Sequence, residues 1–212
     1  MKELLLGIDI GTSACKVAIF RKNGEVVAAA NGDYKVYYPK PGYAEQDPDE
    51  WWRAVCKATK ECITKGAVDP SDIAGIGVDG QSWSAIAVDK RGNVLARTPI
   101  WMDNRSSAIC GRLNRKIGED EIFRASGNPL TAQYTTGKVL WYQENRPEVY
   151  QETDKILQSN AFIVYRLTGK ISQDICQSYG WHCFDMERGT WNEDMRKAMG
   201  IPEGFLPEIS PC

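Results

Sequence analysis

Short apolar runs separated by turn-forming residues open the chain and predict a series of strands. Residues 4–9, 17–20 and 26–29 are three such runs. The pair Asn23-Gly24, between the second and third runs, is typical of a type I′ turn in a β-hairpin. We therefore predict a meander of three strands, and its first turn consists of Gly11, Thr12 and Ser13.

The next predicted element is a helix that follows a Pro- and Tyr-rich link. Asp47 can cap this helix, Pro48 suits its first position, and Glu50 completes a capping-box pattern. Apolar side chains then recur at helical spacing and are expected to face the sheet: Trp51, Val55, Ala58 and Cys62. Residues 73–78 return as a strand, which gives the order β-β-β-α-β.

The rest of the chain is predicted to be mostly helical after one more hairpin. The hairpin has strands at residues 85–88 and 94–96, and Lys90-Arg91-Gly92 forms its turn. Helical patterns cover residues 105–116, 120–125, 136–144 and 161–167, and a short strand is predicted at 156–157. The sequence therefore predicts an α/β fold with a mixed sheet flanked by helices, and it contains no internal repeat.

Composition and charge exclude several classes of protein. The chain has 212 residues, of which 42% are hydrophobic and 25% charged, as is usual for a globular protein. Its net charge of -2 provides no basic surface for nucleic acid or for an anionic membrane. No apolar run approaches the ~20 residues that span a bilayer, and the first residues do not form a signal peptide. We expect a cytoplasmic protein.

The cysteines and the single histidine are not arranged as a site in the sequence. The seven cysteines are scattered and lack C-x-x-C spacing: Cys15, Cys56, Cys62, Cys110, Cys176, Cys183 and Cys212. We interpret them as reduced thiols and predict neither a zinc site nor a disulfide framework. His182 is interpreted as a structural or surface residue.

Candidate chemistry begins at the predicted turn after the first strand. Gly11, Thr12 and Ser13 can direct N–H groups and hydroxyls at one point, which suits a phosphate. Asp9 at the strand end can hold Mg²⁺ through its waters, and Lys16 adds a mobile positive charge. The segment matches neither a Walker loop nor G-x-G-x-x-G. An ordinary hairpin built from turn-forming residues remains the alternative.

A second group of candidate residues follows the predicted strand at residues 73–78. Gln81, Ser82 and Trp83 combine hydrogen-bonding groups with an apolar ring face, and sugars are bound by both. The alternative interpretation is a strand end with a half-buried tryptophan.

A third group lies just before the predicted helix at residues 105–116. Trp101, Asp103 and Arg105 also suit a polyol, because Asp103 can accept hydrogen bonds from adjacent hydroxyls. Arg105 either holds Asp103 in place or binds the substrate, and Tyr134 could close the same site. The alternatives are a helix cap at Asp103 with a surface arginine, and simple packing for Tyr134.

The order of these motifs resembles the FGGY family of carbohydrate kinases. It begins with D-x-G-T-S at residues 9–13 and G-Y-A-E-Q-D-P-D-E-W-W at residues 42–52. G-I-G-V-D-G-Q at 75–81 and I-W-M-D-N-R at 100–105 follow, and later stretches up to Leu206-Pro207 agree. Each motif is weak alone, but together they are specific and cover essentially the whole chain. The xylulose-kinase-like members are the most similar in pattern.

This resemblance implies a two-lobed enzyme with the actin-like ATPase (ribonuclease-H-like) fold, in which ATP and sugar meet between the lobes. It implies that Asp9 organises Mg²⁺ and that residues 11–13 meet the ATP phosphates. Gln81, Ser82, Trp83 and Asp103 are implied to line the sugar site. Residues 1–212 would then be the N-terminal, sugar-binding domain, and the C-terminal nucleotide-binding domain would lie outside this chain.

Two departures from the family pattern refine the expected substrate. Xylulose kinases usually show Q-M-H-G where this chain has Gln81-Ser82-Trp83-Ser84, which argues against D-xylulose itself. The glycerol-kinase pattern Q-R-E is also absent, which argues against glycerol. The expected reaction is therefore ATP-dependent phosphorylation of a ketopentose or a related polyol.

A third departure is length, because family members are considerably longer than this chain. The resemblance places the general-base aspartate after residue 212, together with most of the nucleotide pocket. Phosphoryl transfer depends on positioning and charge neutralisation around the phosphate, so we expect this chain to be inactive without the C-terminal lobe. A homodimer is also considered. The alternative functions are a non-catalytic actin-like ATPase and a sugar-binding regulatory module.

Overall fold

The computed structural model describes residues 3–212, within which short strands alternate with helices. The strands are β1 Leu4–Ile10, β2 Ala14–Arg21, β3 Val26–Asp33, β4 Glu45–Gln46, β5 Ile73–Gly80, β6 Ile86–Val88, β7 Thr98–Pro99, β8 Lys155–Leu157, β9 Ser172–Asp174, β10 Phe184–Asp185, β11 Thr190–Trp191 and β12 Glu208–Ser210. The α-helices are α1 Pro48–Lys65, α2 Ser107–Ile117, α3 Glu119–Ser126, α4 Thr135–Asn145, α5 Pro147–Glu152, α6 Ser159–Thr168, α7 Ile175–Ser178 and α8 Glu193–Met199. Single 3₁₀ turns cover Pro70–Asp72 and Glu203–Phe205.

The chain forms two compact units, and each unit draws on two separate segments. The first unit comprises Met1–Val36 and Asp47–Gln81, and the second comprises Tyr37–Gln46 and Ser82–Cys212. The prediction that residues 1–212 act as one sugar-binding domain stays a prediction.

The first unit is built on a four-stranded sheet with the order β3-β2-β1-β5. The neighbours β1 and β2, and then β2 and β3, run antiparallel, whereas β5 lies parallel to β1. The predicted meander, the mixed strand directions and the β-β-β-α-β order are therefore confirmed. Because β1 and β5 are parallel, their carboxyl ends meet at one edge of the sheet.

The turn between β2 and β3 differs from the predicted type I′ turn. That type requires positive φ at both central residues, but only Gly24, with φ of 87°, adopts it here. The Gly24 N–H donates to the Arg21 carbonyl, and the strand register shifts between Ile19 and Phe20. A left-handed glycine beside a register shift is the pattern of a longer, bulged hairpin loop.

Helix α1 covers one face of this sheet by packing on β2 and β3. Asp47 caps the helix by accepting a hydrogen bond of 2.9 Å from the Asp49 N–H, and Pro48 occupies the first turn. The predicted apolar stripe of α1 is buried and consists of Trp51, Val55, Ala58 and Cys62. It faces a layer of buried strand side chains that includes Ile8, Ile10, Val17 and Ile19. This packing leaves the polar strand ends at the edge of the unit.

The second unit is mostly helical, as predicted, and small pairs of strands connect its helices. The hairpin after residue 85 forms one bridge between Val88 and Val94, and β6 takes β8 as its strand partner. Helix α6 ends at Gly169, which adopts the left-handed conformation of a C-terminal cap. Patterns at 105–116, 120–125 and 136–144 correspond to α2, α3 and α4, whereas the shorter α5, α7 and α8 were not predicted.

The lengths and hydropathies of the helices also bear on membrane insertion. None of the helices within residues 3–212 is long and apolar enough to cross a bilayer.

Candidate functional site

The turn after β1 is shaped by a glycine that no other residue could replace without displacement of the backbone. The Gly11 N–H donates to the Ala14 carbonyl over 3.1 Å, which closes the turn between β1 and β2. A Cβ at Gly11 would lie 2.9 Å from that same carbonyl oxygen, closer than real Cβ contacts. Thr12 and Ser13 occupy the tip of this tight turn, and Ser13 is exposed.

Two side chains of the first unit hold the carbonyl of Gly11 from other elements. The Tyr34 hydroxyl donates to it over 2.5 Å, and Gln81 Nε2 lies 3.5 Å away, at the limit of a hydrogen bond. The backbone N–H of Gln81 donates to the Ile10 carbonyl over 2.8 Å. Burial raises the pKa of Tyr34, so its hydroxyl remains a hydrogen-bond donor at physiological pH. The turn is therefore fixed from both flanking segments of the unit.

Two carboxylates and one lysine share one face of the sheet beside this turn. Asp9 is the direct neighbour of Asp79 in the parallel register and of Lys16 in the antiparallel register. Lys16 Nζ lies 3.5 Å from Asp9 Oδ2, and the Lys16 side chain is largely exposed while that of Asp9 is half-buried. These three residues line an open cavity of about 500 Å³ on the sheet face. Sequence reasoning missed Asp79, although it is the last residue but one of β5, as Asp9 is of β1.

The second unit contains an unusual backbone conformation at Trp83. Its φ is 69°, in the left-handed region that a bulky side chain occupies at a cost of about 1–3 kcal/mol. Two polar side chains hold this conformation. Gln158 Oε1 accepts from the Trp83 N–H over 2.9 Å, and Lys138 Nζ donates to the Trp83 carbonyl over 2.6 Å. Such strain persists only where the surroundings fix it, and it is concentrated at functional sites.

The held conformation places the Trp83 ring in an aromatic group. Its centroid lies 4.4 Å from that of Tyr134 at an angle of 31°, and Tyr179 meets it edge-on at 6.0 Å. His182 in turn meets the Tyr134 ring edge-on at 4.9 Å. Gly180 lies directly against Trp83, because an added Cβ would be 2.9 Å from the indole Cδ1. The predicted residues Trp83 and Tyr134 are therefore brought together.

Two buried polar atoms beside this aromatic group lack a hydrogen-bond partner within residues 3–212. They are the indole Nε1 of Trp83 and the hydroxyl Oγ of Ser84. An unsatisfied buried group costs about 1–3 kcal/mol, so native structures retain few of them.

Lys138 is fully buried, and it connects Trp83 to the loop that precedes helix α4. Its Nζ also donates to the Gln133 carbonyl over 2.5 Å, so one ammonium group fixes both segments. Burial lowers the pKa of Lys138 to about 7, against the opposing attraction of Asp103. Nothing in the sequence distinguished Lys138 within its helix or Gln158 in the link before α6, so sequence reasoning missed both.

Asp103 and Arg105 form a buried ion pair in the second unit. Asp103 Oδ1 accepts from the Arg105 backbone N–H and Nε, and Oδ2 accepts from Arg105 Nη2 and the Ala44 N–H. The distances lie between 2.7 and 3.0 Å, and the Asp103 side chain is fully buried. Arg105 was predicted either to hold Asp103 in place or to bind the substrate. The hydrogen bonds observed here are those of the first role.

The sequence motif at residues 42–52 supplies contacts to the ion pair of Asp103 and Arg105. Glu45 accepts from Arg105 Nη2 over 2.7 Å, and Tyr43 covers one face of the guanidinium at 4.1 Å. Trp141 from α4 lies 4.6 Å from the same guanidinium carbon. Burial opposes the charge of Arg105, but Asp103 and Glu45 outweigh it, so the pKa of Arg105 rises. The sequence did not indicate the partnership with Tyr43 and Glu45.

The predicted site residues thus fall into two groups. The first unit contains Asp9, Gly11, Thr12, Ser13, Lys16 and Gln81, all at or beside the carboxyl ends of β1 and β5. The second unit contains Ser82, Trp83, Trp101, Asp103, Arg105 and Tyr134. Trp101 is 40% exposed, in contrast to the buried pair that follows it. Sugar contact by any of these residues stays a prediction.

Comparison with known proteins agrees with the motif pattern. The sequence profile of the FGGY family of carbohydrate kinases, N-terminal domain, matches residues 4–212. Xylulose kinase of Escherichia coli (strain K12) is 30% identical over 206 residues, which are 97% of this chain and 42% of that protein. Glycerol kinase of Thermococcus gammatolerans is 30% identical over an alignment of 213 positions, which covers 99% of this chain and 43% of that protein.

Solved structures give the same result for the fold. The structure of xylulose kinase from Rhodospirillum rubrum matches with a TM-score of 0.92 at 28% identity, covering 98% of this chain and 43% of that one. The predicted actin-like ATPase fold is therefore confirmed. This chain spans less than half the length of the relatives it matches. Because the family profile matches nearly the whole of its length, the chain belongs to the FGGY family of carbohydrate kinases, over that family's N-terminal domain.

Proposed function

We propose that this chain is the sugar-binding part of an ATP-dependent kinase that phosphorylates a ketopentose or a related polyol. One observation supports this proposal more than any other. Trp83 is held in a strained conformation by Lys138 and Gln158, and its ring stacks on Tyr134. Strain of this kind has a function when it presents a side chain to a ligand.

The chemistry of this aromatic group suits a sugar. Aromatic rings offer an apolar face to the C–H groups of a sugar, while hydroxyls require hydrogen-bond partners. Trp83 Nε1 and Ser84 Oγ, which lack partners within residues 3–212, can supply them. The polar and apolar requirements of a polyol therefore meet at two adjacent residues.

The strand ends of the first unit suit the other substrate, ATP with Mg²⁺. Magnesium takes oxygen ligands and is usually held by one or two carboxylates together with phosphates. Asp9 and its neighbour Asp79 are such carboxylates, and the tight glycine turn whose N–H groups suit a phosphate lies beside them. In this proposal Asp9 holds the metal, residues 11–13 contact the phosphates, and Lys16 adds positive charge.

The choice of sugar rests on the residues of this chain rather than on its relatives. A xylulose kinase and a glycerol kinase are both 30% identical to it, so similarity alone does not select either substrate. Trp83 and Tyr134 place two partly buried aromatic rings side by side, which favours a polyol longer than glycerol. Ser82 and Trp83 replace the usual Met-His pair, so we propose a ketopentose other than D-xylulose.

We further propose that residues 1–212 alone do not catalyse the transfer. They correspond to about two fifths of the relatives' length, and phosphoryl transfer requires groups on several sides of the phosphate. The cytoplasmic location and the homodimer remain predictions from the sequence.

Substitution of Trp83 tests the sugar-binding part of this proposal. In Trp83→Gly the backbone can keep its positive φ without strain, so the change removes the ring and preserves the turn. We expect titration calorimetry with D-ribulose on the protein in its full natural length to show at least a tenfold loss of affinity. Tyr134→Phe keeps the stacked ring and serves as the matched control, with affinity close to that of the wild type.

Two results would contradict the proposal. Unchanged ketopentose affinity in Trp83→Gly would remove Trp83 from the site. Tighter binding of glycerol than of any ketopentose by the wild type would assign a different substrate.

A further inference from the structure

Two exposed cysteines of the second unit lie close together, although 36 positions separate them in the sequence. Cys176 Sγ and Cys212 Sγ are 2.9 Å apart, and both side chains are exposed. A disulfide bond is about 2 Å long, so less than about 1 Å of movement would join the two sulfur atoms. The other described cysteines are buried or partly buried: Cys15, Cys56, Cys62, Cys110 and Cys183.

The strand pairing explains why these two thiols meet. Strand β9 lies parallel to β12, and Asp174 is the register partner of Ser210. Cys176 follows Asp174 by two residues, and Cys212 follows Ser210 by two residues. The two cysteines are therefore equivalent positions beyond the ends of paired strands, and their proximity follows from the fold.

Asp174 lies near both thiols, and the three residues together have the composition of a metal site. The carboxylate, however, is already engaged. Its Oδ1 caps α7 by accepting from the Gln177 N–H over 2.9 Å, and Oδ2 accepts from Asn160 Nδ2 and Gln173 Nε2 at 2.5 and 2.8 Å. A metal would have to displace these hydrogen bonds, whereas oxidation of the two thiols leaves them intact.

We propose that Cys176 and Cys212 form a redox-active pair, which closes to a disulfide by exchange with a small disulfide such as oxidised glutathione. One cysteine thiolate attacks the small disulfide, forms a mixed disulfide and releases the first glutathione thiolate. The second cysteine thiolate attacks the protein sulfur of this mixed disulfide and releases the other glutathione. The two S–H protons and two electrons of the protein thiols end on two glutathione molecules.

The disulfide would join the end of β12 to the first turn of α7. It would close a loop from residue 176 to residue 212 that contains β10, β11 and α8. Because a cross-link restricts the unfolded chain, the oxidised protein resists unfolding more than the reduced one.

Peptide mapping after glutathione treatment tests this pair. The folded, full natural chain is incubated with oxidised glutathione, quenched with acid, alkylated and digested without reductant. We expect one cross-linked peptide pair that contains Cys176 and Cys212, with the mass of two hydrogens lost, and dithiothreitol should reverse it. We also expect a higher thermal midpoint for the oxidised protein.

Serine variants supply the controls. Cys176→Ser and Cys212→Ser should each abolish the cross-link and the thermal shift, while Cys56→Ser, at a partly buried thiol, should retain both. Separate glutathione adducts on Cys176 and Cys212 without a cross-link would overturn the proposal. So would two thiols that resist oxidation and instead produce a thiolate absorption band with Cd²⁺, because that result would assign a metal site.

Discussion

At the scale of single residues, the most informative positions are buried polar groups that the sequence did not identify. Lys138 donates to the carbonyls of Trp83 and Gln133, and Gln158 accepts from the Trp83 N–H. These contacts hold the strained backbone conformation of Trp83 and thereby fix the position of its ring. Trp83 itself was predicted as a site residue, but neither its positive φ nor its two anchors are encoded in any local pattern.

His182 is a further buried polar residue, and its environment explains why it remains neutral. Its Nε2 lies 3.1 Å from the Pro129 carbonyl, which can only accept, so Nε2 carries the proton. Its Nδ1 lies 3.2 Å from the Thr136 hydroxyl, which can then donate to it. Burial lowers the pKa of His182 from 6.5 to about 4. These contacts therefore support a structural role for His182 rather than a surface one.

The lowered pKa of His182 predicts a loss of stability in acid. Between pH 6.5 and 4 the unfolded chain binds a proton at His182 that the folded chain does not, so stability falls as pH falls through this window. The pKa of His182 is 6.5 in the unfolded chain and about 4 in the folded one. This difference lowers the free energy of unfolding by about 3 kcal/mol when the pH falls to 4. Urea unfolding at several pH values measures this loss.

The matched variant is His182→Gln, which retains hydrogen-bonding groups but does not titrate. Carboxylates also lose stability in acid, so only the difference between the two proteins reports on His182. We expect the variant to show a shallower pH dependence between pH 6.5 and 4. Parallel curves for the two proteins would show that His182 protonates equally in the folded and unfolded chains.

At the scale of elements, motifs that are separate in the sequence become parts of one packed arrangement. The segment at residues 42–46 pairs with β7 through β4 and supplies Tyr43, Ala44 and Glu45 to the ion pair of Asp103 and Arg105. Helix α4 supplies Trp141 to the other contact with Arg105. The guanidinium therefore connects three segments of the second unit.

Substitution of Arg105 by lysine should separate these segments. Lysine keeps the positive charge but lacks the planar fork that bonds both oxygens of Asp103 and packs on the aromatic rings. Loss of a buried pair of this kind costs about 3–5 kcal/mol, so we expect a destabilisation near the lower limit. Arg112→Lys is the control, because its pair with Glu144 is half exposed and contributes at most about 1 kcal/mol.

Chemical denaturation of the two variants measures the difference. Equal stabilities for Arg105→Lys and Arg112→Lys would mean that the planar contacts of Arg105 do not stabilise the second unit.

Most elements could be predicted from the sequence where periodicity and capping signals were strong. The meander, α1 with its Asp47 cap, and α6 with its Gly169 end follow from local chemistry that the residues display directly. The short helices α5, α7 and α8 have too few residues for a periodic pattern. The turn at Asn23-Gly24 was assigned to the wrong type, because the register shift in the hairpin depends on strand pairing rather than on the turn residues.

At the scale of the whole molecule, the chain contains two units with different chemistry. The first unit places carboxylates and a glycine turn at the carboxyl ends of parallel strands, and the second unit contains aromatic rings with unsatisfied buried donors. Membership of the FGGY family could be inferred from the order of the motifs along the chain, and the family profile over residues 4–212 agrees. The sugar could not, because Ser82 and Trp83 depart from the family pattern.

The central claim is that the protein couples a ketopentose to the consumption of ATP. ADP release by the protein in its full natural length, in the presence of Mg²⁺ and with or without each sugar, tests this claim most directly. We predict ADP formation that depends on a ketopentose, yields a sugar phosphate in equal amount and falls at least tenfold in Asp9→Asn. ATP hydrolysis that is unaffected by every ketopentose tested would contradict the claim and favour an actin-like ATPase that does not phosphorylate a sugar.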